Sequence, residues 1–380
     1  KKPGDDLMNF NYICTKCGKK HDPKTLIFKC PCGGMLDLDT FDISFSKDYI
    51  IKDEFSLFRY IKALPFDKNS AIWKEISMGE GLTPIIPLVP NNPNLLVKLD
   101  YIMPTLSFKD RGAAVLIAKA KELGVRKVVQ DSSGNAGTSI AAYASRAGIE
   151  CDIFVPKNTS KKKIQQISAY GANIHVIEGS REDTAKAALE VANGGEAFYA
   201  SHVYNPFFYQ GTKTYVYEVY EQLNGKMPDI LVAPVGNGTL VLGLYYGLKD
   251  LLNAGLISKL PQIIAVQSQN CAPIYKAFIE GKDSLDKIET THTMAEGIAI
   301  AEPKRGEQIL AAIRETKGRI IISPEDEIPK TMEFLSNNGF FVEPTTAATL
   351  AAYNRLAEQN TNLLDKKVLI PLCGSGLKSD

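Results

Sequence analysis

From about residue 90 the chain alternates between short apolar, β-branched runs and longer helix-patterned stretches, and this rhythm leaves few folds open. The strand-like runs are LLVKL at 95–99, KVVQ at 127–130, CDIFV at 151–155, NIHVI at 173–177, DILVAPV at 229–235, QIIAVQ at 262–267, RIIIS at 319–323 and KVLIPL at 367–372. Between them lie stretches such as GAAVLIAKAKELG and GTSIAAYASRAG, expected as amphipathic helices closed by a capping glycine. Strands joined through helices run parallel, and a parallel sheet needs helices on both faces. The expected class is α/β, with three-layer α/β/α domains.

Ligands on such sheets bind beyond the carboxyl ends of the strands. Three glycine-rich turns stand there, each between a strand and a helix: DSSGNAGTS after 127–130, PVGNGTLVLG after 229–235 and PLCGSGLK after 367–372. Glycines turn the chain in every α/β protein, so one such loop would say little. A fourth junction, PTLSFKDRGAA at 104–114, sets Lys109 between Phe108 and an apolar run. Either it is an ordinary helix-start lysine or a nucleophile held in a pocket. VGNGT presents successive backbone N–H groups and the Thr239 hydroxyl at a helix N-terminus, an anion site by geometry and dipole. SSGNAGTS offers a second such site, with the Asn135 amide as an added donor. A molecule with a phosphate and a carboxylate in reach of one amine would satisfy all of them.

The 380 residues, 44% hydrophobic and 23% charged, have globular composition and room for two or three domains. A net charge of +1 argues against a strongly basic nucleic-acid surface. The cluster Lys161, Lys162, Lys163 reads as the solvated face of one helix. No basic start leads into an apolar stretch and no apolar run is long enough to span a bilayer, so a soluble, cytoplasmic protein without membrane partners is expected. The seven cysteines do not form a disulfide framework.

Four of them, Cys14, Cys17, Cys30 and Cys32, crowd the opening stretch with glycines at the turns, as a tetrahedral Zn²⁺ site requires. The second pair has one intervening residue where zinc ribbons usually have two or more. A zinc ribbon and a metal-free knuckle both stay open, and nothing basic and aromatic follows that would bind nucleic acid. His21 is either a spare zinc ligand or an exposed loop residue. His175 is expected to pack within its strand and His292 to cap the stretch after it. Cys151 and Cys271 lack an adjacent base that would make either a nucleophile.

The series GEGLTP (79–84), SFKDRG, SSGNAG, NPFFYQGTKT, VGNGT, EPTTAA and CGSGLK, in this order, resembles the fold type II pyridoxal-phosphate (PLP) enzymes and, within them, the threonine synthase family. The cysteine-bearing N-terminal extension is similar to that of archaeal and some bacterial threonine synthases. The resemblance implies a tryptophan synthase β-like fold and a homodimer. It implies that Lys109 forms the internal Schiff base with PLP and shuttles the α-proton; desolvation would favour the neutral amine this needs. Gly236, Asn237, Gly238 and Thr239, with Leu240, correspond to the phosphate cradle, and Phe108 lies beside the cofactor lysine. Asn135 corresponds to the residue bonded to the ring's 3-oxygen, while Ser132, Ser133, Ala136 and Gly137 would line the site of the substrate carboxylate. Cys373 stands where threonine synthases have the threonine of TGHGLK facing the pyridine nitrogen, and where serine dehydratases have a cysteine. A thiol cannot hold a pyridinium as a carboxylate does, which favours elimination and replacement over transamination.

The chain departs from threonine synthases where those bind substrate. A segment like NSVNPYRLEGQKT there reads SHVYNPFFYQGTKT here, so that Phe208 replaces the phosphate-binding arginine while His202 and Val203 replace Asn and Ser. NPTGSFKDRG becomes MPTLSFKDRG, with Met103 and Leu106 for Asn and Gly, and TMAEGIA at 293–299 is closer to the TIADGIA of threonine and serine dehydratases. These changes favour β-elimination or β-replacement on a small amino-acid substrate over threonine synthase proper, which converts O-phosphohomoserine and water to threonine and phosphate. A PLP-binding protein without turnover is the non-enzymatic alternative. The domains expected are the ribbon at 1–42, a small mobile domain at 95–200 carrying Lys109 and Asn135, and a large PLP-binding domain from 43–94 and 201–380, with PLP in the cleft between.

Overall fold

The computed structural model describes residues 10–39, 44–195 and 197–379. The chain folds as two units: the described parts of Lys1–Leu82 with Lys109–Thr214, and Thr83–Phe108 with Tyr215–Ser379.

The first unit opens with a three-stranded antiparallel ribbon, ordered Lys20–His21, Asn11–Cys14, Leu36–Asp39. Its main sheet has four parallel strands, ordered Asn173–Ile177, Glu150–Pro156, Lys127–Gln130, Phe198–Tyr199. The helix Asn135–Ala147 follows the Lys127 strand and stops at Gly148, whose φ of 66° is the left-handed cap the sequence pattern calls for. The helix Lys109–Glu122 departs from the expected amphipathic pattern, being buried at every position from Asp110 to Ala120. Its small residues let neighbours close in on all sides. Lys119 is buried too, its ammonium paired with Glu122 and lying over the rings of Phe10 and Phe207.

The second unit holds a six-stranded sheet ordered Arg319–Ser323, Gln262–Ser268, Ile230–Pro234, Val368–Pro371, Leu95–Lys98, Ile85–Pro87, parallel except for the last. Burial on both faces explains why its central strands read as unbroken apolar runs. Lys98 belongs there because it is paired with Glu218 at 2.9 Å, both side chains fully buried, and also donates to the Thr83 carbonyl at 2.8 Å.

This pairing differs from the expected partition. Leu95–Lys98 does not open the small domain; it is bonded in parallel to Val368–Pro371, and residues 201–214 go with the first unit. The ribbon is part of that first unit, and its expected end at 42 lies outside the described residues. Alternation reveals strands and helices, but which sheet a strand joins depends on partners far along the chain. Among the described residues, no helix is long and apolar enough to cross a membrane.

Candidate active site

In the first unit Lys109 begins its helix partly exposed, with its Nζ 5.8 Å from the centre of the Phe208 ring. Phe208 is fully buried in the helix Pro206–Thr212, against Gly112, where a Cβ would come within 2.3 Å of the ring. Phe208 therefore has no surface to offer a substrate, and its place is behind Lys109 and His202. The His202 ring stands edge-on to Phe208 at 6.0 Å, and its Nδ1 is buried without a hydrogen-bond partner. Burial, and then the positive charges of Lys109 and Arg181, hold this imidazole well below the usual histidine range, so it is neutral at physiological pH.

The SSGNAG loop joins the Lys127 strand to the Asn135 helix. Ser132, Ser133 and Asn135 remain partly exposed, while Ala136 is buried. Gly134 caps the helix without a side-chain bond, and its own N–H donates to Ser132 Oγ at 3.3 Å. Gly137 is packed so closely that a Cβ would lie 1.7 Å from the Ser132 carbonyl oxygen. Behind the loop, Tyr143 of the same helix donates to Glu80 Oε2 at 2.7 Å, and the Ser77 hydroxyl and Met78 N–H donate to the same carboxylate at 2.9 and 2.8 Å. Burial outweighs those donors and pushes Glu80 up to about 7. Ser139 donates to Asp110 beside Lys109. At the loop's start, Tyr199 donates to Asp131 at 2.8 Å.

In the second unit the strand Ile230–Pro234 runs into Gly236, Asn237 and Gly238, and Gly238, at φ 86°, caps the helix Thr239–Asn253 with no side-chain bond. The first-turn N–H groups of that helix, with the buried Thr239 and Leu240 at its start, form an anion-binding terminus. Gly236 lies so near the AEGIA stretch that a Cβ would stand 3.1 Å from the Gly297 carbonyl oxygen and from Ile298 Cα. Gly297 N–H donates to Thr345 of EPTTAA at 3.1 Å, and Gly374 N–H donates to Thr346 at 3.4 Å. The buried Cys373 accepts at its carbonyl from Phe108 N–H at 2.8 Å, and Leu106 accepts from Ser375 N–H at 3.0 Å. Four motifs remote in sequence thus converge with the peptide that runs directly into Lys109.

Residues 76–374 match the family model of pyridoxal-phosphate dependent enzymes. The chain is 31% identical to a threonine synthase of Methanocaldococcus jannaschii over 376 residues, covering 96% of this chain and 92% of the relative. The chain belongs to the pyridoxal-phosphate-dependent threonine synthase family. A threonine synthase of Methanosarcina acetivorans is 30% identical, covering 97% of this chain and 92% of that one. The fold is shared with an L-serine ammonia-lyase of Rhizomucor miehei, with a TM-score of 0.69 and 22% identity over 78% of this chain and 94% of that one. The enzyme is a PLP-dependent lyase of tryptophan synthase β-like fold. Two observations fit the cofactor independently of kinship: a glycine-rich turn at a helix N-terminus, whose Gly236 packs against Gly297 and Ile298, and the Ser107 hydroxyl, buried without a partner two residues before Lys109.

Glu80, Tyr143 and Arg181 escaped the sequence reading. Glu80 sits in the recognisable GEGLTP, but its burial was not visible. Arg181 opens the helix Arg181–Asn193, where a basic residue reads as an ordinary surface charge. His21 lies 3.3 Å from Cys30, and His175 is stacked on Phe154 with 43% of its side chain exposed rather than packed away. Cys151 is buried and its thiol pushed up to about 12, consistent with no nucleophilic role.

Proposed function

We propose that this enzyme carries out β-elimination or β-replacement on a small amino acid with a modest leaving group. The observation that carries this reading is the neutral His202 ring, backed by the buried Phe208, where the threonine synthase pattern has a phosphate-binding arginine. Without that guanidinium, a phosphate would lack its bidentate partner.

Lys109 would hold the cofactor covalently, Gly236, Asn237, Gly238, Thr239 and Leu240 its phosphate, Asn135 its ring oxygen and Cys373 its ring nitrogen. When bound, PLP withdraws electrons from the substrate's α-carbon, which makes the α-proton acidic and loosens a β-substituent. Lys109 Nζ takes that proton and can return it. The Phe208 ring beneath Lys109 and the buried helix behind it limit the water around that amine. The start of the Asn135 helix, with the Ser132 and Ser133 hydroxyls, would bind the substrate carboxylate. The Cys373 thiol leaves the ring nitrogen without a carboxylate partner.

Threonine synthase proper is the second reading. Arg181 favours it, since its charge is felt at His202 and could replace in part the missing guanidinium. The deciding experiment titrates the holoenzyme with O-phosphohomoserine, phosphoserine, serine, threonine, cysteine and diaminopropionate, following cofactor absorbance, phosphate, 2-oxo acid and ammonia. A response confined to β-substituted amino acids supports the first reading. Phosphate and threonine formed from O-phosphohomoserine alone would establish the second.

A further inference from the structure

The sulfurs of Cys14, Cys17, Cys30 and Cys32 all lie within 4.8 Å of one another, and none is in a disulfide. Cys14 and Cys32 are 3.5 Å apart and Cys17 and Cys30 3.7 Å apart. Sulfurs at about 2.3 Å from a tetrahedral zinc are separated by about 3.8 Å, whereas a disulfide needs about 2.05 Å. The spacing is that of a metal site.

The surroundings are built for sulfur. Cys14 and Cys30 each begin a tight turn, with Gly18 N–H donating to the Cys14 carbonyl at 3.0 Å and Gly33 N–H to the Cys30 carbonyl at 2.8 Å. The single residue between Cys30 and Cys32 is therefore enough. Gly34 leaves the room: a Cβ there would come within 2.4 Å of Cys14 Sγ. The N–H groups of Lys16 and Cys17 point at Cys14 Sγ from 3.4 and 3.5 Å, and His21 Nε2 lies 3.3 Å from Cys30 Sγ.

We propose that these four cysteines bind one Zn²⁺ in a closed structural site, and that the loaded ribbon positions the segment 199–208. Binding releases four thiol protons and leaves a ZnS₄ centre of charge −2, which these N–H groups offset. A metal-bound thiolate only accepts hydrogen bonds, so His21 carries its proton on Nε2 and supports Cys30 from outside the ligand set. Both arms of the ribbon reach the segment. Phe28, two residues before Cys30, stands edge-on to Tyr199 at 5.2 Å and Tyr204 at 5.8 Å. Phe10 and Tyr12, which lead into Cys14, pack on Phe207 at 6.0 and 5.8 Å. His202 and Phe208 lie in the stretch so gripped.

The test measures metal in purified holoenzyme by mass spectrometry and follows zinc release to a colorimetric chelator as the thiols are modified. Hydrogen exchange is then compared before and after release. One zinc per chain is expected, freed only when the cysteines react, with exchange in 199–208 at least about 10-fold faster and exchange in Ile230–Asn253 unchanged. Phe28→Ala, which leaves the ligands in place, should keep the zinc yet loosen the same segment. Iron in place of zinc, or no metal with four free thiols or two disulfides, would overturn the site. Unchanged exchange after release would overturn the positioning role. Neither readout depends on which amino acid the enzyme accepts.

Discussion

The glycine loops and the side chains packed behind Lys109 in the first unit are held by different means. At Gly137 the backbone passes other backbone so closely that no side chain fits, at Gly236 a Cβ would press on the Gly297–Ile298 backbone at 3.1 Å, and at Gly238 the chain takes a φ of 86°. At His202 and Phe208 the structure is set by packed side chains, which can be exchanged while the fold stands. The first kind of site is the one proposed to hold the cofactor. The second is where this chain's sequence departs from the motifs of the threonine synthase family.

The strongest way to break the comparison is at Lys109, the side chain proposed to hold the cofactor. Lys109→Ala should lower turnover by about 10³-fold or more, measured as single-turnover product release, while His202 and Phe208 behind it stay packed. Little change would remove Lys109 from the chemistry. Gly137→Ala comes next, because its Cβ meets a carbonyl oxygen rather than a flexible side-chain tip. A loss of about 2–4 kcal/mol in chemical unfolding, together with weaker substrate binding, is expected as the Ser132–Asn135 turn is forced outward. A fully tolerated alanine would mean that the loop is not held by close approach.

These two sites also show what sequence can convey. Glycine turns after apolar strands announce themselves, because few residues permit such backbones, and so the loops and the class of fold were legible. Partners supplied from elsewhere were not. Leu95–Lys98 looks like any buried strand until its neighbour, Val368–Pro371, is known. Phe208 could be aligned with an arginine, but that it turns away from solvent against Gly112 depends on the packing of two helices. Glu80 gave no sign of being buried, since it stands between two glycines and its cover, Tyr143, comes from a helix far along the chain.

Glu80 sharpens the contrast through pH. Burial raises it to about 7 from an ordinary value of 4.5, so the folded state holds the proton more tightly than the unfolded chain. Its contribution is fully present below about 4.5 and is lost as pH rises through 7, where a buried carboxylate must be carried. Between pH 5 and 8 this one group should lower the unfolding free energy by roughly 2–3 kcal/mol. Glu80→Gln should flatten that part of the profile. An unchanged slope in the variant would assign the pH dependence to other groups.

Leu106 is the smallest and most informative case, because it is a side-chain position wearing a glycine's backbone. Its φ of 66° is one that L-residues adopt at a cost of roughly 1–2 kcal/mol, and the family motif has glycine there. The bonds from Leu106 N–H to the Met103 carbonyl at 2.8 Å and from Ser375 N–H to the Leu106 carbonyl at 3.0 Å hold it in place. Leu106→Gly relieves the strain but gives up partly buried apolar surface and adds freedom to the unfolded chain, so stability should change by less than about 1 kcal/mol. Strain kept three residues before the proposed cofactor lysine calls for a functional reason. If the leucine restricts the substrate, the variant's kcat/KM ratio for O-phosphohomoserine over β-substituted amino acids should rise several-fold at nearly constant stability. If only stability rises, the restriction lies with His202 and its backing, and Leu106 is strain without a use.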